Sequence, residues 1–161
     1  MDEWVKAIGS FILGFVSAHI PSIFDRRRKL KTHWCAIRAE MEMCREKAET
    51  LLKSGKKTPL YRLPVVAFEA SFPILLAEGA VAESELLVLG RFAGLVQEIN
   101  RGLDYAAEMY KAKDAQRLEK EHNRNCLKAR ALVQGKNGEE SAYKPAKKIV
   151  NSKIGLQWWK Y

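Results

Sequence analysis

The sequence contains little cysteine, proline, glycine or histidine. Three Cys, five Pro, ten Gly and three His occur among its 161 residues. Cysteines this few and this widely spaced exclude a disulfide-built scaffold and are typical of a reducing compartment. The low content of Pro and Gly excludes a fibrous or low-complexity chain. With 47% hydrophobic and 29% charged residues, the composition is that of a globular protein of about one domain.

Motifs for catalysis and for cofactor binding are also missing. No G-x-G-x-x-G or G-x-S-x-G pattern occurs, and Gly55-Lys56 lacks the earlier glycine of a phosphate-binding loop. Glu119 and His122 have the spacing of one arm of a di-metal bundle site, but a second such pair is lacking. Cys35 and Cys44 are nine residues apart, which places them on opposite sides of a helix. We therefore expect no enzyme activity, no metal, no cofactor and no small-molecule substrate.

The N-terminal region has an uncharged apolar segment. Between Lys6 and Asp25 lie eighteen residues without a formal charge. A helix from Trp4 to Phe24 would be about 30 Å long, which matches the hydrocarbon core of a bilayer. A basic cluster follows directly, and we name it by its members: Arg26, Arg27, Arg28, Lys29 and Lys31. By the positive-inside rule this pattern predicts a single-pass membrane protein, with residues 1–24 as the anchor and the rest of the chain on the cytoplasmic side.

The basic cluster is expected to set that topology and to contact anionic lipid. Small residues recur every four positions at Ser10, Gly14 and Ala18, a spacing that allows close helix packing in lipid. Together with Trp4 as an interfacial aromatic, they form the predicted anchor and helix-packing set. Two other interpretations of the segment stay open: an interfacial amphipathic helix, and a helix buried in a core or a partner. The acidic N-terminus excludes a secretory signal peptide.

The strongest periodic signal extends from Asp25 to about Leu52. Apolar residues there alternate steps of four and three, as in a heptad pattern: Leu30, Trp34, Ile37, Met41, Cys44, Ala48 and Leu51. The segment from Ser54 to Pro59 predicts a loop. A short helix is expected to begin near Pro64 and to be broken or kinked at Pro73.

Two further helices are predicted over residues 82–113 and 114–134. Asp114 is the expected break or cap between them, and Gly135–Gly138 the expected end. The apolar stripe of the first helix includes Leu86, Leu89, Phe92, Ala93, Val96, Ile99, Leu103, Ala106 and Tyr110, and that of the second Leu118, His122, Cys126, Ala129 and Val133. We therefore expect an all-α fold, in which the N-terminal membrane helix (1–24) continues into an antiparallel bundle of three to four helices (25–138).

Positive charge is concentrated in two blocks of this chain, whose formal net charge is +9. Residues 26–57 hold eleven basic and four acidic residues, and the tail, residues 139–161, has five Lys and no acid after Glu140. The tail ends in Trp158-Trp159-Lys160-Tyr161. Clustered Trp, Tyr and Lys suit a membrane interface or a partner's groove, and folding back onto the bundle is the structural alternative. The predicted interface residues of the tail are Lys147, Lys148, Trp158, Trp159 and Tyr161.

These features predict a membrane-anchored helical-bundle interaction protein that scaffolds, senses or recruits a protein partner or a second copy. Three alternatives stay open. One is a basic helical subunit of a larger protein assembly. Another is a nucleic-acid-binding protein, which the net charge favours although the chain shows no recognition motif. The last is a membrane-perturbing effector that oligomerises through its N-terminal helix.

Overall fold

A computed structural model describes residues 2–53, 62–135 and 138–155 of the chain. For residues 2–22 the structure describes the helical backbone, and it gives the solvent exposure of four residues: Trp4, Ile8, Ser10 and Gly14. The described residues form five α-helices: α1 (Asp2–Lys53), α2 (Val66–Ala77), α3 (Glu83–Lys111), α4 (Ala115–Val133) and α5 (Tyr143–Gly155). The expected all-α helical bundle is confirmed.

The heptad-type stripe of α1 forms one wall of the core. Six of its seven residues are buried: Trp34, Ile37, Met41, Cys44, Ala48 and Leu51. The buried apolar side chains of α3 are Leu89, Phe92, Val96, Ile99, Leu103 and Ala106. Phe92 and Val96 line a small cavity together with Glu40 and Cys44 of α1. Burying these apolar stripes removes them from water, which is the main favourable term for helices of this kind.

The α3–α4 connection and the end of α4 follow the sequence expectation. Asp114 caps α4, since its Oδ1 accepts a hydrogen bond from the Arg117 amide at 3.1 Å. Gly135, just beyond the end of α4, has a φ of +90°, a conformation that favours glycine. The buried face of α4 differs from the predicted one: it consists of Asn125, Ala129 and Leu132, whereas Cys126 and Val133 are half-buried.

The tail contains a helix, α5, that the sequence analysis did not predict. It contacts α3 and α4 and buries Tyr143, Ala146 and Val150. Lys147 Nζ on α5 also lies 2.7 Å from Glu42 Oε1 on α1. Burial acts to raise the pKa of Glu42, but the neighbouring Lys147 ammonium and Tyr143 hydroxyl outweigh it and hold that pKa below its usual value.

Pro73 lies inside α2 and does not break it, so of the two expected effects, a break or a kink, the break is wrong. A proline in a helix removes one amide donor and leaves the carbonyl four residues earlier without its usual partner. Here Pro73 and Glu69 are both exposed, so water can reach the carbonyl that loses its donor. The helix continues to Ala77 and buries Leu75 completely.

The chain divides into two compact units, Met1–Thr32 and His33–Tyr161. In the first unit Trp4 is 79% exposed, and a Cβ added at Gly14 would meet no atom within 4 Å. The side chain of Ala18 lies outside the described residues. Arg27 is half-buried, and the other four residues of the basic cluster are exposed along α1.

The prediction of a membrane-spanning segment is contradicted. Among the residues that the structure describes, no helix is both long and apolar enough to cross a bilayer. The single-pass membrane localisation is therefore wrong by this criterion. The contacts of the described residues do not test the roles predicted for Trp4, Ser10, Gly14 and Ala18 in helix packing, or for the basic cluster in topology and lipid contact.

Candidate interaction surface

The outward side of α2 is an apolar face. Five of its exposed residues follow the spacing i, i+4, i+7, i+8, i+11 and therefore lie on one side of the helix. We call this face the α2 surface: Val66, Ala70, Pro73, Ile74 and Ala77. Val66 is 75% exposed and Ile74 is 43% exposed. Because Glu69 is the one charged residue of α2, the helix is apolar on its outer face as well as on its inner face.

The inner face of α2 packs on the bundle and fixes which residues point outward. Ser71 and Leu75 are buried, and the rings of Phe68 and Phe72 stack with centroids 4.6 Å apart. Ser71 Oγ lies 3.1 Å from His33 Nδ1 on α1, within hydrogen-bonding distance. These contacts hold α2 in one rotational setting, so the apolar outer face is a stable feature of the fold.

The N-terminus of α2 is capped by a residue of another helix. Val65, at the N-cap position, offers no side-chain hydrogen bond. Instead the Glu40 carboxylate of α1 accepts hydrogen bonds from the backbone amides of Ala67, at 2.6 Å, and Phe68, at 2.8 Å. These are the two amides that a Ser or Asp at the N-cap normally binds. The carboxylate also lies at the positive end of the helix dipole, which stabilises it there.

The segment that leads into α2 is fixed by α1 and α3. The Asn100 carboxamide of α3 accepts from the Leu63 amide at 2.7 Å and donates to the Leu63 carbonyl at 2.9 Å. The Cys44 thiol donates to the Pro64 carbonyl at 3.2 Å. Burial raises the pKa of Cys44 to about 12, so the thiol stays protonated at neutral pH and can keep donating. The start of α2 is thus held in place from two sides.

Along the chain, the residues around α2 are acidic, whereas the chain as a whole is basic. Residues 63–90 include four glutamates and no Lys or Arg, and one of the four, Glu85, pairs with Lys153 of α5 at 2.8 Å. Glu69 lies on α2 itself, Glu78 follows its last residue, and both are exposed. Glu83 is also exposed at the start of α3. The α2 surface is therefore an apolar face with acidic flanks on a protein whose net charge is +9.

A concave feature lies between α3 and α4. It is a groove of about 620 Å³, lined by Glu98, Arg101, Gly102, Tyr105, Glu121, Arg124, Leu127 and Lys128. Ion pairs cross or follow it: Lys128 with Glu98 at 3.9 Å, and Arg124 with Glu121 at 3.3 Å. Because these charges largely neutralise each other, the groove has no strong preference for an anion or a cation.

At the floor of this groove α3 and α4 come into close contact. Asn125 of α4 is 1% exposed, and a Cβ added at Gly102 of α3 would collide with its carboxamide. Neither polar atom of that carboxamide has a hydrogen-bond partner among the described residues. A buried carboxamide without partners is costly. Gly102 is therefore required by the packing of Asn125.

The residues considered for catalysis do not form an activated site. Cys126 Sγ lies 3.5 Å from His122 Nε2, but burial raises the pKa of the Cys126 thiol and outweighs the opposing effect of Arg130. A nucleophilic cysteine needs the opposite shift. No cluster of three or more His, Cys, Asp or Glu residues that could hold a metal ion occurs in the described parts of the chain.

The tail residues predicted at an interface are only partly described. Lys147 pairs with Glu42, and Lys148 is exposed on α5. Trp158, Trp159 and Tyr161 lie outside the described residues.

Sequence reasoning predicted the short helix that begins near Pro64 but assigned it no function. The sequence did contain a signal for an interaction surface on this helix, namely one charged residue among twelve. A helix that is apolar all round is normally covered on all sides, so an exposed one suggests a binding face.

The comparisons with known proteins give no identification. No protein-family model matches the chain, and neither the search of curated proteins nor that of solved structures found a match.

Proposed function

We propose that this chain is a helical-bundle interaction protein that binds a protein partner through the α2 surface. The observation that carries the proposal is the exposed apolar outer face of α2. Contiguous apolar patches with polar rims are typical of interaction sites, whereas single exposed apolar residues are common anywhere on a protein. The α2 surface places five apolar residues on one helical face, with Glu69 beside them.

The energetics support association at this face. Burying a fully exposed Val or Ile side chain is worth about 1.5–3 kcal/mol. Val66 and Ile74 together offer a few kcal/mol towards the cost of association, and Leu76 at the edge adds to it. The cap by Glu40 and the clamp by Asn100 hold the face rigid, so little conformational entropy is lost when a partner binds.

The proposal includes no catalytic activity. That part stays a prediction from the missing sequence motifs, and the protonated state of the Cys126 thiol is in keeping with it. A scaffolding or recruiting protein requires a stable surface and no reactive group. The bundle and the α2 surface meet that requirement.

Co-purification from the native host cells tests the proposal. Tagged full-length chain would be compared with Val66→Lys/Ile74→Lys, which places two charges on the α2 surface. Leu127→Lys is the matched control, since Leu127 is also a large exposed apolar residue, at 55% exposure, but lies on α4. We expect one partner to co-purify with the unmodified chain and the control and to be lost with the double variant. Equal recovery with all three proteins would overturn the proposal.

A further inference from the structure

We infer that the partner of the α2 surface is an α-helix whose apolar stripe is flanked by Lys and Arg side chains. The inference rests on the proposed function and adds the chemistry of the partner. Two properties of the surface lead to it, namely its shape and the charge around it.

The shape of the α2 surface fits another helix. Val66, Ala70 and Ile74 lie four residues apart and form one ridge, and Pro73 and Ala77 form a second. The small side chains of Ala70 and Ala77 leave grooves between the larger ones, into which the ridges of a partner helix can pack. From Val66 to Ala77 the face is about 17 Å long, so a partner helix of about three turns would cover it.

The charge around the surface selects the sign of the partner's flanks. Glu69 and Glu83 are exposed, and no Lys or Arg occurs over residues 63–90. The last turn of α2 contains no basic residue of its own. A cation is the favoured neighbour at the negative end of a helix dipole. Lys or Arg flanking the partner's stripe would therefore satisfy both the glutamates and this helix end.

The same charge pattern disfavours two other classes of ligand at this surface. Nucleic acids are polyanions, and the cytoplasmic leaflet of a membrane carries anionic lipid. Both would be repelled by the glutamates around α2. The basic residues of the chain lie on other elements, above all in the basic cluster of α1. The observations thus favour a protein helix with basic flanks over either alternative.

Two synthetic helical peptides of about 14 residues, the length of a four-turn helix, test the inference. Both carry the same Leu/Ala stripe, flanked by four Lys in one peptide and by four Glu in the other. Binding to the full chain is measured by fluorescence anisotropy at about 50 mM and about 300 mM NaCl, because screening separates charge from apolar contributions. We expect the Lys peptide to bind about tenfold more tightly at low salt and the difference to shrink at high salt. Glu69→Lys should reduce the preference, and Leu127→Lys should leave it unchanged.

The possible results separate this inference from the proposed function. Equal binding of both peptides that is lost in Val66→Lys/Ile74→Lys would overturn the inference about charge and leave the proposed function standing. Binding that survives the double variant would overturn both at this surface. No binding of either peptide would overturn the inference, and co-purification would then judge the proposed function by itself.

Two further results would assign the surface to another occupant and so overturn the inference. One is dimerisation of the full chain that depends on Val66 and Ile74. The other is binding of phosphatidylserine-containing vesicles that depends on the same two residues, since binding through the basic cluster would be unaffected by their replacement.

Discussion

The cap formed by Glu40 predicts a specific loss of stability when that side chain is changed. Its carboxylate is nearly buried, at 7% exposure, and accepts two backbone hydrogen bonds at the start of α2. Glu40→Gln keeps the size of the side chain but replaces one acceptor oxygen with an NH2 group. That group faces a backbone donor, so one of the two amides of α2 loses its acceptor.

The size of the effect follows from three contributions. A hydrogen bond to a charged group contributes about 1.5–3 kcal/mol, and a buried donor without a partner costs about 1–3 kcal/mol. The interaction of the charge with the helix dipole adds about 0.3–1 kcal/mol. These terms overlap, because the same bond enters more than one of them. We therefore expect Glu40→Gln to lower the free energy of unfolding by about 2 kcal/mol.

Urea denaturation followed by far-UV circular dichroism measures this loss. With a slope of about 2 kcal/mol per molar urea, the midpoint should fall by about 1 M. Glu46→Gln is the matched control, because Glu46 lies on the same helix with an exposed side chain, and its midpoint should hardly move. If the Glu40 and Glu46 variants were equally stable, the argument that α1 holds α2 through this cap would be refuted.

Two further predictions concern the packing of the bundle. Gly102→Ala should destabilise the fold by about 1–2 kcal/mol, because the added Cβ collides with the Asn125 carboxamide. In an Asn125→Ala background the same change should be neutral or stabilising by up to about 1 kcal/mol. The free energies of unfolding of the unmodified protein, the two single variants and the double variant are compared, and additive effects of the two changes would contradict this prediction. The Cys44 thiol, with a pKa of about 12, has a thiolate fraction about 1,000-fold below that of an ordinary thiol at pH 8. It should therefore react with a thiol reagent only as the protein unfolds, as mass spectrometry of peptides can show, and labelling of Cys44 as fast as that of the half-buried Cys35 would contradict its burial.

The helices with regular apolar spacing could be predicted from the sequence. The stripe from Trp34 to Leu51 is buried as expected, and so is that of α3 from Leu89 to Ala106, because each gains most of its stability from one apolar face. The two ends of the predicted α3 stripe, Leu86 and Tyr110, are exposed. Asp114 and Gly135 are local signals, and both mark helix ends as expected. Local spacing and turn chemistry thus determine much of the bundle.

Features that depend on contacts between distant residues could not be predicted. The inner face of α4 is set by Asn125 against Gly102, and no periodicity rule places a polar carboxamide in a core. α5 buries small and mixed residues among lysines, and an ion pair between Lys147 and Glu42 connects it to α1. The α2 cap joins residues 27 and 28 positions apart. Only such contacts determine which side of the uniformly apolar α2 faces outward.

The membrane prediction was wrong, since no helix among the described residues is long and apolar enough to cross a bilayer. Counting uncharged residues also treated residues 7–24 as a separate element, whereas the structure places them in one helix with the residues up to Lys53. The apolar residues on which the proposed function rests lie in α2, and at twelve residues this helix is shorter than a membrane-spanning segment.

The most direct test of the central claim is site-specific photo-cross-linking in living host cells. A photoreactive amino acid replaces Ile74 on the α2 surface or, as the control, Leu127 on α4. The account predicts a discrete cross-linked partner at position 74, which weakens when Val66→Lys is added, and none at position 127. No adduct at position 74, or the same adducts at both positions, would contradict the claim that the α2 surface is where this protein binds its partner.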